Sequence, residues 1–366
     1  MTLLRCLLIA IACLWSLPAA AHLTPNSTIS LDFNADHVDA TLTIPLSEMS
    51  YAGLRADDVA KRVQARSPNG VPWRVSVARV TTVAGPPEAD LVAHLILRPP
   101  PGADVRQFTL SYDGVIDRVS SHIVMIMVGR DYAGGVLREE PALLGALRQG
   151  QTSILVDRGP GSLWRGFLGA VRLGMHHIAE GYDHLLFLLA LLLPAPLLAA
   201  GGRWTGHRDT RSMVRKLAAI ITAFTVGHSL TLLGGAFLGW TLPTQPVEIA
   251  IALSILISAI HAWRPLFAGR EMFVAGGFGL IHGLAFATTI SAFALDPFHK
   301  AQAILGFNLG IELVQLGIIL VLLPLLIWFG RRPLYQRVRA ALALPAGILA
   351  ILWMIERIAG VSIIPG

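Results

Sequence analysis

The sequence predicts a membrane protein in two parts, an exported β-sandwich-like domain followed by a six-helix transmembrane α bundle. Three observations lead there. The 366 residues are 54% hydrophobic and only 14% charged, too apolar for a soluble protein of this length. The apolar residues crowd into long runs after about residue 175, while the earlier part has the composition of a soluble domain. Basic residues then alternate between the connections of those runs, as the topology of a multi-pass protein requires.

Residues 1–21 read as a signal peptide. Arg5 gives a short basic start, Cys6 to Trp15 an apolar core, and Ala19-Ala20-Ala21 a small-residue cleavage signal. Cys6 and Cys13 are the only cysteines, so a chain cleaved after Ala21 would have neither disulfides nor thiolate ligands. Such a chain would begin at His22, whose free α-amine and imidazole together chelate Cu2+ or Ni2+. His22 is therefore a candidate second metal site.

Residues 22–157 form the exported β-rich domain. Short alternating runs at 28–33, 37–44, 73–82, 91–97, 107–112, 122–128 and 152–156 are bounded by Gly, Pro, Asn or Asp, which predicts seven antiparallel strands. Asp57 to Ala65 reads as a helix capped by Asp57 or Asp58. His37, His94 and His122 stand singly in strand patterns and read as structural or exposed. No triad, phosphate loop or paired carboxylates stand out in this domain. Residues 158–174 set Trp164, Phe167, Leu168 and Val171 on one helical face with Arg165 and Arg172 off it, the pattern of an interfacial helix.

Residues 175–366 hold six spans, at 176–200, 213–238, 246–263, 272–294, 302–328 and 340–360. Arg203, Arg208, Arg211, Arg215 and Lys216 follow the first span, Arg264 and Arg270 the third, and Arg331, Arg332, Arg337 and Arg339 the fifth. The other two connections carry no lysine or arginine except Lys300. The positive-inside rule then places the amino-terminal domain and the carboxyl end on the exported, periplasmic side of the inner membrane. The formal charge of +6 is thus a topology signal and excludes a nucleic-acid footprint. Trp204, Trp240, Trp263 and Trp328 fall at span ends as an aromatic belt.

The first span opens on M-H-H-I-A-E-G-Y-D-H-L-L. On one continuous helix His176, Glu180 and His184 stack at i, i+4 and i+8, with His177 and Asp183 beside that stripe. A charged side chain at the bilayer centre costs about 2.5–3.5 kcal/mol, so such a row has to face the protein interior and share a proton or a cation. Later spans add His228 with Ser229 and Thr231, His282 between small residues, and Asn308, Glu312 and Gln315 on one face. Gly227, Gly279, Gly283, Gly306 and Gly310 beside them allow close helix approach. His261 reads as an interfacial residue. Imidazole and carboxylate without sulfur suit Ni2+, Co2+, Cu2+ or Zn2+, and a line of incomplete sites lets an ion pass.

These residues carry a resemblance. His177, Asp183 and His184 in an H-x5-D-H-L-L arrangement, followed in order by A-F-T-V-G-H-S-L-T-L, F-G-L-I-H-G-L-A-F-A and G-F-N-L-G-I-E-L-V-Q, resemble the HupE/UreJ family of nickel permeases, in particular its long branch with an exported amino-terminal domain. The resemblance covers about residues 160–360. It implies uptake of Ni2+, in some members Co2+, with His177, Asp183, His184, His228, His282 and Glu312 as functional residues. The branch carries an Asn near the end of the third helix, where this sequence has His261. No enzymatic activity and no tightly bound cofactor are expected, the metal ion being cargo, and the partners are the ion, the lipid bilayer and a metal-handling protein at the exported domain. No Gly-Lys pair occurs, so the sequence contains no Walker-type phosphate loop. Two other functions remain open from the residues: an intramembrane Zn2+-dependent hydrolase acting on lipid, with Ser229 beside His228, and a metal-delivery or assembly factor.

Overall fold

A computed structural model describes residues 26–85, 88–240, 242–291 and 295–360, so the expected signal peptide and His22 lie outside the described residues. The chain divides into two compact units. One takes the described residues up to Val128 together with Pro141–Asp157, and the other takes Gly129–Glu140 and the chain from Arg158 onward.

The amino-terminal part is β-rich. Its strands are β1 (Ser27–Phe33), β2 (Val38–Pro45), β3 (Gln64–Arg66), β4 (Arg74–Val83), β5 (Asp90–Arg98), β6 (Gln107–Ser111), β7 (Val124–Asp131), β8 (Val136–Leu147) and β9 (Ser153–Asp157). They form one sheet in the order β4-β5-β2-β1-β7-β8 and a second in the order β3-β6-β9. Strict alternation makes these strands: Ile29, Leu31 and Phe33 of β1, and Leu91, Ala93, Leu95 and Leu97 of β5, are buried while their neighbours are half-buried. Phe108 of the smaller sheet meets Phe33 of the larger at 6.4 Å and Trp73 at 4.4 Å between ring centroids.

All seven expected strands are present, and β3 and β8 add to them. In the sequence β8 hides behind Pro141 and Gly145, which break its alternation; it lies at the end of the sheet order, where proline is tolerated. The helix expected over 57–65 is shorter. A six-residue helix α1 (Leu46–Tyr51) precedes α2 (Ala56–Val59), and after one 3-10 turn at Ala60–Arg62 the chain pairs Gln64, Ala65 and Arg66 with β6. The lone histidines are structural. His37 binds Asp36 at 2.6 Å, His94 faces Thr41 at 3.3 Å, and buried His122 meets Ser27 at 2.7 Å.

The helical part comprises α3 (Leu163–Glu180), α4 (Tyr182–Leu192), a β10–β11 hairpin (Leu197–Ala200 and Arg203–His207), α5 (Thr210–Leu238), α6 (Thr244–Trp263), α7 (Glu271–Ser291), α8 (Pro297–Gly330) and α9 (Tyr335–Ala359). Caps start several of these. Ser162 accepts from the Arg165 N–H, Asp209 from the Ser212 N–H, and Asp296, with Pro297 after it, from the Phe298 and His299 N–H groups. The bond from Ser212 also holds the Asp209 carboxyl below its ordinary pKa.

The structure corrects the first expected span, 176–200. The chain breaks at Gly181, between α3 and α4, and becomes a hairpin after α4. At 11 residues α4 is about 17 Å long, too short alone for a hydrocarbon core of about 30 Å. Among the described residues, four helices are long and apolar enough to cross a membrane: α5, α6, α8 and α9. The described part of α7 is apolar but shorter, so six crossings do not follow from length and composition alone. On their outer faces Leu320, Val321, Leu325 and Trp328 are 56–73% exposed, as expected of side chains bathed in lipid. Of the apolar face expected on α3, Val171 is buried and Phe167 and Leu168 are half-buried. Gly166, Gly169, Ala170 and Gly174 are buried, while Trp164 is exposed.

Glycines set the helix pairs. On α3 and α8, a Cβ at Gly174 would collide with the Phe307 carbonyl and one at Gly310 with the Val171 carbonyl. On α5 and α7, a Cβ at Gly227 would meet the Gly276 carbonyl and one at Gly279 the Phe224 carbonyl. A third pair is α6 with α9. Gly317, by contrast, has nothing within 4 Å of the place its Cβ would take. Gly310→Ala is therefore expected to destabilise the protein by about 1–3 kcal/mol. Gly317→Ala should be neutral or slightly stabilising, because alanine favours the helix. Thermal unfolding of both variants in detergent checks the contrast.

Candidate metal centre

The break at Gly181 makes the site. On an unbroken helix His177 and His184, seven residues apart, would be about 10 Å apart along the axis. Instead the chain turns, and their ring centroids lie 4.8 Å apart, edge to face. A side chain at Gly181 would crowd this turn: its Cβ would come within 2.7 Å of His184 Nδ1 and 2.9 Å of Asp183 Oδ1. The stacking of His176, Glu180 and His184 on one continuous helix therefore does not occur.

Four imidazoles and one carboxylate converge from α3, α4, α5 and α7. His282 lies 5.0 Å from His184, and His228 lies 6.3 Å from His177, between ring centroids. Asp183, His184 and His282 each offer a ligand atom, and these atoms are within 4.8 Å of one another, a set that could hold a metal ion. His228 is fully buried, and His184 and His282 are nearly so. Phe286 and Phe307, stacked on each other at 4.5 Å, flank His177 at 4.8 and 5.3 Å.

Hydrogen bonds fix the ring orientations. His282 Nδ1 lies 2.9 Å from the Phe278 carbonyl, which can only accept, so Nδ1 carries the proton. Asn308 donates its amide to the Ile304 carbonyl at 2.9 Å, which turns its oxygen to His228 Nδ1 at 3.3 Å. His184 Nδ1 is 2.8 Å from Asp183 Oδ1, which also accepts the His184 backbone N–H. In each case Nε2 is left with its lone pair. The Nε2 atoms of His177, His184, His228 and His282 are all buried and have no hydrogen-bond partner among the described residues. Such partners on Nδ1 are what orients a metal-ligating imidazole.

An open cavity of about 620 Å3 leads to this cluster. Arg172, His176, His177, Glu180, Asp183 and His184 line it, with Gly135 and Leu137 of the β7–β8 hairpin opposite. The hairpin is closely fitted here. A Cβ on Gly169 would strike the Gly135 carbonyl at 2.6 Å, and the Tyr132 hydroxyl donates to Gln302 at 2.8 Å. Burial, with Asp296 nearby, pushes the Tyr132 hydroxyl up to about 12, so it keeps the proton it donates.

Not every expected residue joins the cluster. His176 and Glu180 pair at 3.5 Å and are exposed in the cavity, outside the imidazole group. Glu312 is half-buried on α8 one turn beyond Asn308, and it is Asn308 that reaches the histidines. Ser229 donates to the Thr225 carbonyl at 2.7 Å, a helix-internal bond. His261, expected at an interface, is fully buried in a separate group: it stacks on Phe267 at 3.7 Å, its carbonyl accepts from Trp204, and its Nδ1 accepts backbone N–H groups of Leu266 and Phe267. Glu271 binds Lys216 at 2.6 Å beside it. Trp204 is consequently buried rather than part of an exposed belt.

A sequence model described as HupE / UreJ protein matches residues 151–357, more than half of the chain. The chain belongs to the HupE/UreJ family. That family is one of nickel and cobalt transporters and accessory proteins and is not typically enzymatic. No curated protein matches the chain at a significant level. In this HupE/UreJ chain the matched region contains the whole imidazole cluster, including the Asn308 bond.

The tautomers are directly testable. In metal-free protein, nitrogen-15 NMR of the imidazoles should show Nδ1–H forms for His228 and His282. Asn308→Ala should change the His228 signal and leave that of His282 in place.

Proposed function

We propose that the chain is a permease for a divalent transition metal ion, most consistent with Ni2+ or Co2+. The observation that carries this reading is the group of four buried Nε2 atoms with no hydrogen-bond partner among the described residues, on rings gathered beside Asp183. A buried unpaired polar atom costs about 1–3 kcal/mol, and four of them in one small volume are best satisfied together by a cation. Neutral imidazoles with one carboxylate favour a borderline ion over Ca2+ or Mg2+. The carbonyl end of α3 and the Asp183 carboxylate both favour positive charge at the break. A site at the break of a discontinuous helix, open on one side to water, is also how ion carriers bind cargo that must later leave.

In this reading Asp183, His184 and His282 hold the ion first, and His177 and His228 extend the path inward. His176 and Glu180 belong to the aqueous approach, and Glu312 to its continuation along α8. The broken α3–α4 pair counts as one crossing and α7 as another, which with α5, α6, α8 and α9 makes six. The basic connections then face the cytoplasm, and the β-rich domain, behind its signal peptide, faces the periplasm. His22 remains a proposed second chelate, and the exported domain the place where a metal-handling partner would dock. The hydrolase alternative is weaker, because the Ser229 hydroxyl is already committed to Thr225.

Metal uptake into cells or proteoliposomes tests this, across Ni2+, Co2+, Cu2+ and Zn2+. Wild type should accumulate one or two of these ions selectively, and Asp183→Asn, inserted at equal level, should lose that uptake. A correctly inserted wild type that moves none of the four ions, or an Asp183→Asn variant as active as wild type, would overturn the reading.

A further inference from the structure

The cavity in front of the imidazole cluster has a feature that a bare cation does not call for. One stripe of α3, at i, i+4 and i+8, carries Arg172, His176 and Glu180, and all three line the cavity. Successive members are about 6 Å apart along the helix, so a guanidinium, an imidazole and a carboxylate lead inward toward Asp183. Arg172 is exposed and makes no ion pair among the described residues. A fixed positive charge on the approach repels a free divalent ion. The same charge attracts a carboxylate, and guanidinium matches carboxylate geometry well.

Size points the same way. A divalent ion with six waters occupies roughly 180 Å3, taking about 30 Å3 per water. The cavity is about 620 Å3, within the range of sites for small organic ligands. Its walls are partly polar from α3 and partly apolar from Leu137 and Leu173.

We propose that this vestibule receives the metal as a complex with a small carboxylate chelator, an inference that rests on the permease reading. Arg172 holds a carboxylate of the chelator and sets the complex with its metal toward His176 and Glu180. The metal then exchanges chelator oxygens or nitrogens for the Asp183 carboxylate and the His184 and His282 imidazoles. The chelator is released to the outside as the free carboxylate. No redox change and no co-reactant are involved, because each metal–ligand bond broken is replaced by another.

Uptake of labelled nickel is measured from two sources at matched free Ni2+, nickel in a non-coordinating buffer and nickel with excess citrate or histidine. Wild type should take up more from at least one chelate than its free Ni2+ supports. Arg172→Gln should lower uptake from that chelate about tenfold, equivalent to about 1.4 kcal/mol of binding, and should raise uptake of the aquo ion. Wild-type uptake that follows free Ni2+ alone, or an Arg172→Gln variant that changes both sources in the same direction, would overturn the proposal while leaving the permease intact. A second readout is independent of transport. Purified full-length protein should retain labelled citrate or histidine only when Ni2+ is present, and Arg172→Gln should lose that retention. Retention of neither chelator would sink the proposal even where transport itself fails.

Discussion

The structure depends on what a buried imidazole nitrogen can do with its lone pair. His184, His228 and His282 each have Nδ1 engaged, by a carboxylate, an amide oxygen and a backbone carbonyl respectively. Their Nε2 atoms are therefore aimed rather than free to turn toward some other partner, and the ring of His177 packs beside them. Apolar rings complete the arrangement. Phe187, Phe224, Phe286 and Phe307 surround the histidines and leave few polar groups for them to bind. In such a low-dielectric setting the interaction of a cation with the cluster is strong, and so is the penalty for leaving the cluster unsatisfied.

The break at Gly181 matters for charge as well as for position. Ending α3 there brings its carbonyl end next to Asp183, which itself lies in the first turn of α4. It also lets Asp183 and His184 share one turn, with the carboxylate holding both the imidazole and the backbone N–H of its neighbour. A continuous helix would have spread the same residues along one side and given no common focus.

Much of this was legible in the sequence, and the parts that were not have physical causes. The seven alternating strands could be read because one face of each is buried. β8 could not, because Pro141 and Gly145 interrupt its pattern in a position where a sheet edge tolerates them. The clustered residues His177, Asp183, His184, His228 and His282 stood out because ionisable groups are costly inside apolar runs. Reading His176, Glu180 and His184 as one continuous stripe failed at Gly181, although glycine after Glu180 and an acid two residues later are ordinary stop and start signals for helices. The apolar run masked those signals. Hydropathy averages over a window and does not register a single turn. The separation of His261 from the site depended on contacts with Trp204, Phe267 and the Glu271 carboxylate, which no spacing rule brings together.

The glycine interfaces give the cluster a further property. Close backbone contact joins α3 to α8 and α5 to α7, and core packing of this kind is bistable rather than continuously deformable. His177 and Asn308 belong to the first pair, and His228 and His282 to the second, while Asp183 and His184 sit on the short α4 after the break. Close backbone contact holds distances within a pair, and α5 also packs on α8 between the pairs. A shift of one pair against the other would change the separation of His177 from His228 and the His228–Asn308 bond, both of which cross between the pairs. A ligand set built on a single pair would keep its affinity through such a shift. One divided between two pairs, as His177, His228 and His282 are, would not.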